Sequence, residues 1–281
     1  MNTAPPQIQP THTDPEALGA YAGLLWEVFG AGPKFTPQAL AWRYRDNPAG
    51  TVVGADAWAG ETLAAHYVAC PLAATVEGQP LKGLLSLNTA THPAFQGQGL
   101  FTRLAREAYD RGTDLGYDFV IGVANAQSTP GFLGRLGFQH VGRLEAGLLA
   151  RTPRRFEAAE VQFSGTWDAA TLAWRLANPA AAYRTVRRGA LTGVYADTHL
   201  PGVRCAGFVE AEAGDARAGA PLGLTLFLGL DPRMPLRRLG FVPLPALAPE
   251  PDLSTFERPG AAQPRSPGHG DQLPRLRSVL R

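Results

Sequence analysis

The chain has little of what a redox, metal or membrane protein needs. Among its 281 residues are two cysteines, Cys70 and Cys205, and neither belongs to a Cys-x-x-Cys pair or a Cys/His cluster. That spacing argues against a zinc site and a dithiol redox pair. Both cysteines fall in strand-like stretches, where they are expected as small buried apolar residues. No run is long and apolar enough to span a membrane. The first residues, MNTAPPQIQPTHTDPEA, lack a basic start followed by an apolar core, so a cytoplasmic location is expected. Excess charge is small, net +2, and no basic cluster carries interleaved aromatics, which argues against nucleic acid as a partner. What remains is an ordinary globular composition, 45% hydrophobic. The length suffices to bury a core without disulfides or metals and anticipates about two domains.

Punctuation by proline and glycine divides the chain. Residues 1–14 are polar and Pro-rich and are expected to be loose; 258–281, rich in Pro, Gly and Arg, is expected to be disordered. Asp14 before Pro15 caps a helix with Leu18, Tyr21, Leu25 and Phe29 on one face, and Thr36 before Pro37 repeats the device. Three strand-like stretches follow over 51–60, 62–76 and 81–91, joined by short turns. A helix from Leu100 to Arg111 comes next, then a buried strand over 117–125 and a short helix between Thr129 and Gly137. A single returning strand is expected over 138–150.

Between the third strand and the long helix lies HPAFQGQGLF, His92–Phe101. Glycines at a strand-to-helix junction let the backbone bend and approach a ligand closely. The first helical turn offers free N–H groups and the positive end of the helix dipole, a site for an anion, most often a phosphate. No Lys follows, so it is not the GxxxxGK[ST] loop of a nucleotide triphosphatase. The hairpin-linked strands before it argue against a dinucleotide fold.

With this element order, the segment resembles the GNAT superfamily of acyl-CoA-dependent N-acyltransferases. Gln96-Gly97-Gln98-Gly99-Leu100-Phe101 fills that family's Gln/Arg-x-x-Gly-x-Gly/Ala motif, with Phe101 replacing the last small residue. NAQSTPGFLGRLGF matches its Asn-x-x-Ser, short helix and Gly-Phe through Asn125, Ser128, Phe132, Gly137 and Phe138. The resemblance implies an α+β GNAT fold, a mixed, mainly antiparallel twisted sheet with flanking helices. It also implies acetyl-CoA as co-substrate, no metal, and transfer of the acetyl group to a primary amine of a small molecule by direct attack. Thr89, Ala90 and Thr91 would pair with the pantetheine arm, with the Thr91 N–H as oxyanion donor. Gln96, Gly97, Gln98, Gly99, Leu100, Phe101 and Thr102 would hold the pyrophosphate, and Asn125, Ser128 and Phe132 would line the CoA channel. Where many members carry a Tyr acid, this chain has Leu133; Tyr67 and Tyr109 are alternative hydroxyls. Asp56, Glu61, His66, Glu77 and His92 are base candidates by location.

The sequence also repeats itself. LAWRYRDNP at Leu40 recurs as LAWRLANP at Leu172, and RLGF at Arg135 recurs at Arg238. The first pair is offset by 132 residues and the second by 103, so the second copy is shorter by 29. That length matches a strand, the glycine loop and part of a helix, and no QGQG follows Leu172. The expected organisation is a GNAT lobe over 15–150 and a truncated, degenerate GNAT-like lobe over 151–257, with a strand near Thr225–Leu230 and a short helix over Pro232–Leu239. The missing tyrosine and the eroded second copy leave a non-catalytic acyl-CoA-binding or scaffold protein as the alternative. An aminoacyl transferase using charged tRNA fits less well with the near-neutral charge.

Overall fold

The computed structural model describes residues 5–124, 128–211, 217–218, 223–244 and 254–259; of 217–218 and 254–259 only the backbone is described. In chain order the first half contains β1 (Gln7–Pro10), α1 (Pro15–Phe29), α2 (Pro37–Tyr44), β2 (Val53–Ala59), β3 (Thr62–Val76) and β4 (Gln79–Thr91). It continues with α3 (Leu100–Asp114), β5 (Phe119–Ala124), α4 (Thr129–Arg135) and β6 (Gln139–Arg143). Then come β7 (Glu145–Leu149), β8 (Phe163–Gly165), α5 (Ala169–Leu176), β9 (Tyr183–Arg188), β10 (Leu191–Asp197) and β11 (Val203–Val209). The last described elements are β12 (Arg217–Ala218), β13 (Leu224–Gly229), β14 (Phe241–Pro243) and β15 (Ser254–Pro259).

Local chemistry sets the helix starts. A carboxylate oxygen of Asp14 accepts the Ala17 N–H at 3.0 Å, and Thr36 Oγ1 accepts the Ala39 N–H at 3.2 Å. Such caps contribute about 1 kcal/mol each. Alternation along β3 then sorts the layers, because successive side chains point to opposite faces. Val68 and Cys70 face α1 and α2, packing with Leu18, Leu25 and Leu40. Tyr67 and Ala69 face α3, packing with Leu100, Leu104 and Ala108. Each fully buried leucine contributes about 2 kcal/mol.

Two mixed sheets result, giving the expected α+β architecture. The first runs β1-β2-β3-β4-β5-β15-β6, with β8 pairing β3 farther along its length; the second runs β12-β9-β10-β11-β13-β7-β14. In both, three meandering antiparallel strands are followed by a parallel neighbour (β4 with β5, β11 with β13), then two antiparallel steps. The sixth strand of each sheet comes from the other half of the chain. β7 leaves the first half to pair β13, and β15 returns from the far end to lie between β5 and β6.

Several boundaries therefore differ from those read along the sequence. The stretch 138–150 breaks at Leu144 into β6 and β7, which enter different sheets. β7, β8 and β15 cross the line expected at 150/151, because sheet pairing satisfies backbone groups without regard to sequence order. Residues 7–10, expected to be loose, form an edge strand on β2, with Ile8 packed on the core. Pro10 is tolerated there because an edge strand needs no further donor. Arg258 and Pro259, assigned to the disordered tail, end β15; 260–281 lie outside the described residues. Residues 232–240 form turns rather than the expected helix, with one α-type bond from Leu239 N–H to the Pro235 carbonyl.

The repeated motifs meet. Trp42 and Trp174 stack at 4.6 Å between centroids, with 16° between planes. Each indole N–H donates to the other tryptophan's carbonyl, at 2.9 and 3.0 Å. A contact in which residue i meets j as j meets i is the signature of a two-fold relation.

Candidate active site

The first sheet opens at one end. β4 and β5 pair from Gly83/Phe119 to Ser86/Gly122, and the ladder stops there although β4 continues for five residues. On the other side of β4 the register with β3 slips between Val68/Leu87 and His66/Ala90, so Asn88 and Thr89 oppose Tyr67 alone. This is a bulge. Asn88 adopts φ +48°, a conformation asparagine tolerates better than most residues. Past the bulge the His92 N–H donates to the Ala64 carbonyl at 2.9 Å. Alternation in an antiparallel ladder then turns the Thr91 N–H away from β3, toward the gap left by β5. Thr89, Ala90 and Thr91 thus line the open side of β4.

The glycine loop closes over this gap. Gln96 reaches back to the Thr91 carbonyl through its side-chain amide, at 3.4 Å. Gly97 and Gly99 take φ +76° and +70°, and a Cβ at either would touch nothing within 4 Å. They are there for backbone conformation and open space, not for internal packing. Gly99 caps α3 without a side chain, and the helix's first bond runs from Arg103 N–H to the Gly99 carbonyl at 3.2 Å. The N–H groups of Leu100, Phe101 and Thr102 therefore have no partner inside the helix. Thr102 Oγ1 beside them is buried and has no hydrogen-bond partner among the described residues. An anion seated here would satisfy an array of donors that the fold leaves open, with the helix dipole adding to the attraction. Phe101 lies against Gly131 of α4, where a Cβ would come within 2.6 Å of its ring. A large residue at the loop is matched by a missing one on the facing helix.

The remaining site residues are distributed as follows. Ser128 precedes α4, its carbonyl accepting from the Gly131 and Phe132 N–H groups. Phe132 is buried edge-on to both Phe101 and Phe138. Leu133 is 40% exposed. Asn125 lies outside the described residues. Glu61 and Glu77 are exposed in turns at opposite ends of β3, and Glu77 stands at the end away from the gap. His92 caps the turn after β4 by accepting the Ala94 N–H, and it pairs with Glu27 of α1 at 3.2 Å.

Two buried polar clusters flank the bulge, one on each face of β3. On the α3 face the Tyr67 hydroxyl donates to Ser86 Oγ at 2.7 Å and meets the Tyr109 hydroxyl at 2.6 Å. Ser86 is the last residue paired with β5, so these hydroxyls sit where the strands part; burial pushes the Tyr67 phenol up to about 12.

On the α1/α2 face runs a longer chain. Asn88 Nδ2 donates to the Tyr44 hydroxyl at 2.9 Å, and that hydroxyl lies 3.1 Å from His66 Nε2. His66 Nδ1 lies 2.6 Å from Asp56 Oδ1, and Tyr21 donates to Asp56 Oδ2 at 2.6 Å. The His12 N–H donates to the Tyr21 hydroxyl at 3.0 Å. Asp56 and His66 are essentially inaccessible. Burial drives the Tyr44 and Tyr21 phenols well above their usual range, with the Asp56 charge adding to the effect at Tyr21. Both phenols thus stay protonated and donate. Since the Asn88 NH₂ is engaged by Tyr44, its carbonyl oxygen is left to face elsewhere. Sequence reading named Asp56 and His66 but missed Tyr21, Tyr44 and Asn88. The available signal was an asparagine near the end of an apolar strand, a bulge-tolerant residue in a ladder position.

Residues 12–141 match the model of the acetyltransferase (GNAT) domain. That match spans just under half of the chain, and the matched residues have a GNAT-like fold. No functionally curated protein matches the sequence. Among solved structures, Eis1 from Mycobacterium abscessus superposes over 90% of this chain and 73% of its own, with TM-score 0.60 and 13% identity. A GCN5-related N-acetyltransferase from Kribbella flavida gives 0.58 at 11% identity, over 90% and 71% of the two chains. Another from Anabaena variabilis gives 0.56 at 9%, over 90% and 72%. At these identities the likeness is one of fold, and it extends beyond residues 12–141 into the second sheet. Among the described residues no group of three metal-ligating side chains gathers, and no helix is long and apolar enough to cross a membrane.

Proposed function

We propose that the chain is an N-acetyltransferase moving the acetyl group of acetyl-CoA to a primary amine of a small molecule. The observation that carries this reading is the parting of β4 from β5 beyond Ser86/Gly122, with the uncapped start of α3 and the orphaned Thr102 Oγ1 beside it. In this reading the N–H groups from Gly97 to Thr102 hold the pyrophosphate, and the pantetheine arm runs along Thr89–Thr91. Asn125, Ser128 and the neighbourhood of Phe132 form the far wall. The amine nitrogen attacks the thioester carbonyl, the C–S bond breaks, the amine gives up a proton and the CoA thiolate takes one. The Thr91 N–H donates to the oxyanion, an interaction of roughly 3 kcal/mol per donor. Asn88, held by Tyr44, His66 and Asp56, offers its carbonyl oxygen to the acceptor's N–H; Asp56 and His66 act through it and do not touch substrate.

The second sheet fits a degenerate copy of the first. Its strand order, the reciprocal Trp42–Trp174 contact and the two shared motifs support a duplication whose second copy has lost the anion loop.

Calorimetry with CoA and turnover of acetyl-CoA with a panel of small amines test the reading. Gly99→Val introduces a β-branched residue at positive φ where the backbone meets phosphate. It is expected to weaken CoA binding by more than tenfold while costing roughly 1–2 kcal/mol of stability. Unchanged CoA affinity refutes the loop assignment. A second reading, a non-catalytic acyl-CoA-binding protein, is favoured by exposed Leu133 in place of the family's acid. Tight CoA binding with no amine-dependent thiol release establishes it instead.

A further inference from the structure

The segment from Ala150 to Glu157 is laced to the second sheet and its turns at four points. The Ala150 and Arg151 N–H groups donate to the Gly240 and Leu239 carbonyls at 3.4 and 3.0 Å. The Arg154 carbonyl accepts from the Ala190 N–H, and the Glu157 N–H donates to the Arg233 carbonyl, both at 2.9 Å. Gly189 has φ +60°, and a Cβ there would come within 2.5 Å of the Arg154 carbonyl oxygen, so the close approach depends on glycine. Beside this fixed segment is a cavity of about 480 Å³. Its lining includes Arg151, Arg154, Arg155, Arg188 and Arg238, with Glu157 as its one carboxylate.

Charge is therefore concentrated well beyond the chain's average. Five guanidinium groups against one carboxylate give the lining +4, while the whole chain carries +2. Glu157 is already engaged by Arg238 at 2.5 Å, and Arg188, half-buried, donates to Thr152 Oγ1. Arg151, Arg154 and Arg155 have no ion pair among the described residues. Guanidinium groups held together on a hydrogen-bonded segment repel one another unless an anion joins them. Their fork of donors suits phosphate and carboxylate oxygens in pairs. The volume is that of a site for a small organic molecule.

We propose that this cavity is a second anion site, separate from the start of α3, for a small ligand carrying two or more phosphate or carboxylate groups. It belongs to the half of the chain without a glycine loop. Side chains do there what backbone N–H groups do at the start of α3.

The test is calorimetric titration of the full chain with pyrophosphate and, separately, with citrate. Four proteins are compared: the parent, the double variant Arg154→Gln/Arg155→Gln, Arg237→Gln as an exposed neighbour outside the lining, and Gly99→Val at the α3 loop. The proposal expects at least one probe to give the parent a binding event that survives in Gly99→Val, and the double variant to show that same event at least tenfold weaker, since each lost charge-assisted contact counts for about that factor. Arg237→Gln and Gly99→Val should retain a binding event of parental affinity. Pyrophosphate alone binding marks a phosphate ligand, and citrate alone a polycarboxylate. The proposal is overturned if neither probe binds, if the double variant binds like the parent, if Arg237→Gln weakens binding equally, or if Gly99→Val abolishes all of it. Both arginines in the double variant are exposed, so its unfolding midpoint should match the parent's and a loss of binding cannot be laid to misfolding.

Discussion

Replacing Tyr44 by Phe removes one oxygen from the middle of a buried chain of hydrogen bonds. That oxygen accepts from Asn88 and serves His66 Nε2, which is fully inaccessible and has no other partner among the described residues. Phenylalanine preserves the ring, its packing in the α1/α2 core and its tilt against Tyr21. The cost is therefore polar. Leaving the His66 nitrogen unsatisfied costs about 1–3 kcal/mol, and Asn88, half-buried and able to recruit water, loses about 1 kcal/mol. The expected destabilisation is about 2–4 kcal/mol, read as a lower urea midpoint at unchanged m-value. The variant Asn88→Gly, which keeps the positive φ without strain, should cost less alone, and the double variant should show a coupling of about 1 kcal/mol, because the second substitution removes a partner already lost. Acetyl transfer supplies a second reading. If Asn88 orients the acceptor, both single variants should lower kcat with CoA affinity unchanged. A Tyr44→Phe protein within about 0.5 kcal/mol of the parent, uncoupled to Asn88, would show that the chain of contacts carries no energy.

Three further outcomes are expected. The Tyr21, Tyr44 and Tyr67 phenols are raised above their ordinary value near 10. Their stabilisation is therefore fully present well below pH 10 and lost as pH rises through 10 toward the folded-state values. Urea unfolding should lose about 3 kcal/mol between pH 10 and 11, and about 1 kcal/mol less in Tyr44→Phe; a flat profile contradicts the burial argument. Deleting residues 254–281 removes β15 and unpairs the facing edges of β5 and β6, so thermal unfolding should drop by many degrees and CoA affinity should fall, although no deleted residue belongs to the glycine loop. Unchanged melting and CoA binding would show that this strand contributes nothing to the first sheet. Leu133→Tyr adds a phenol at an exposed position, so it should leave stability within about 0.5 kcal/mol. Where protonation of the thiolate limits turnover, a general acid typically adds 10²–10⁴-fold; acetyl-CoA consumption no faster than the parent's means that another group or solvent supplies that proton.

Signals that are local in the chain were legible without the structure. Asp14 and Thr36 announce helix starts because a cap bonds three residues ahead, and the glycines at 97 and 99 announce a turn because few other residues adopt positive φ. The order of elements and the family motif marked the junction between β4 and α3, and the two LAWR segments marked the two tryptophans that stack. The tertiary structure decided everything that depends on partners distant in sequence. A strand's residues say that it is half-buried but not beside which edge it will lie, so the exchange of β7 and β15 between the sheets left no local trace. The bulge at Asn88 exists only as a difference in register between β3 and β4. Tyr21, Asp56, His66, Tyr44 and Asn88 come from five elements or their ends, and each in isolation reads as an ordinary core or surface residue. Burial joined them, because a polar group taken out of water must find a partner wherever the fold can bring one.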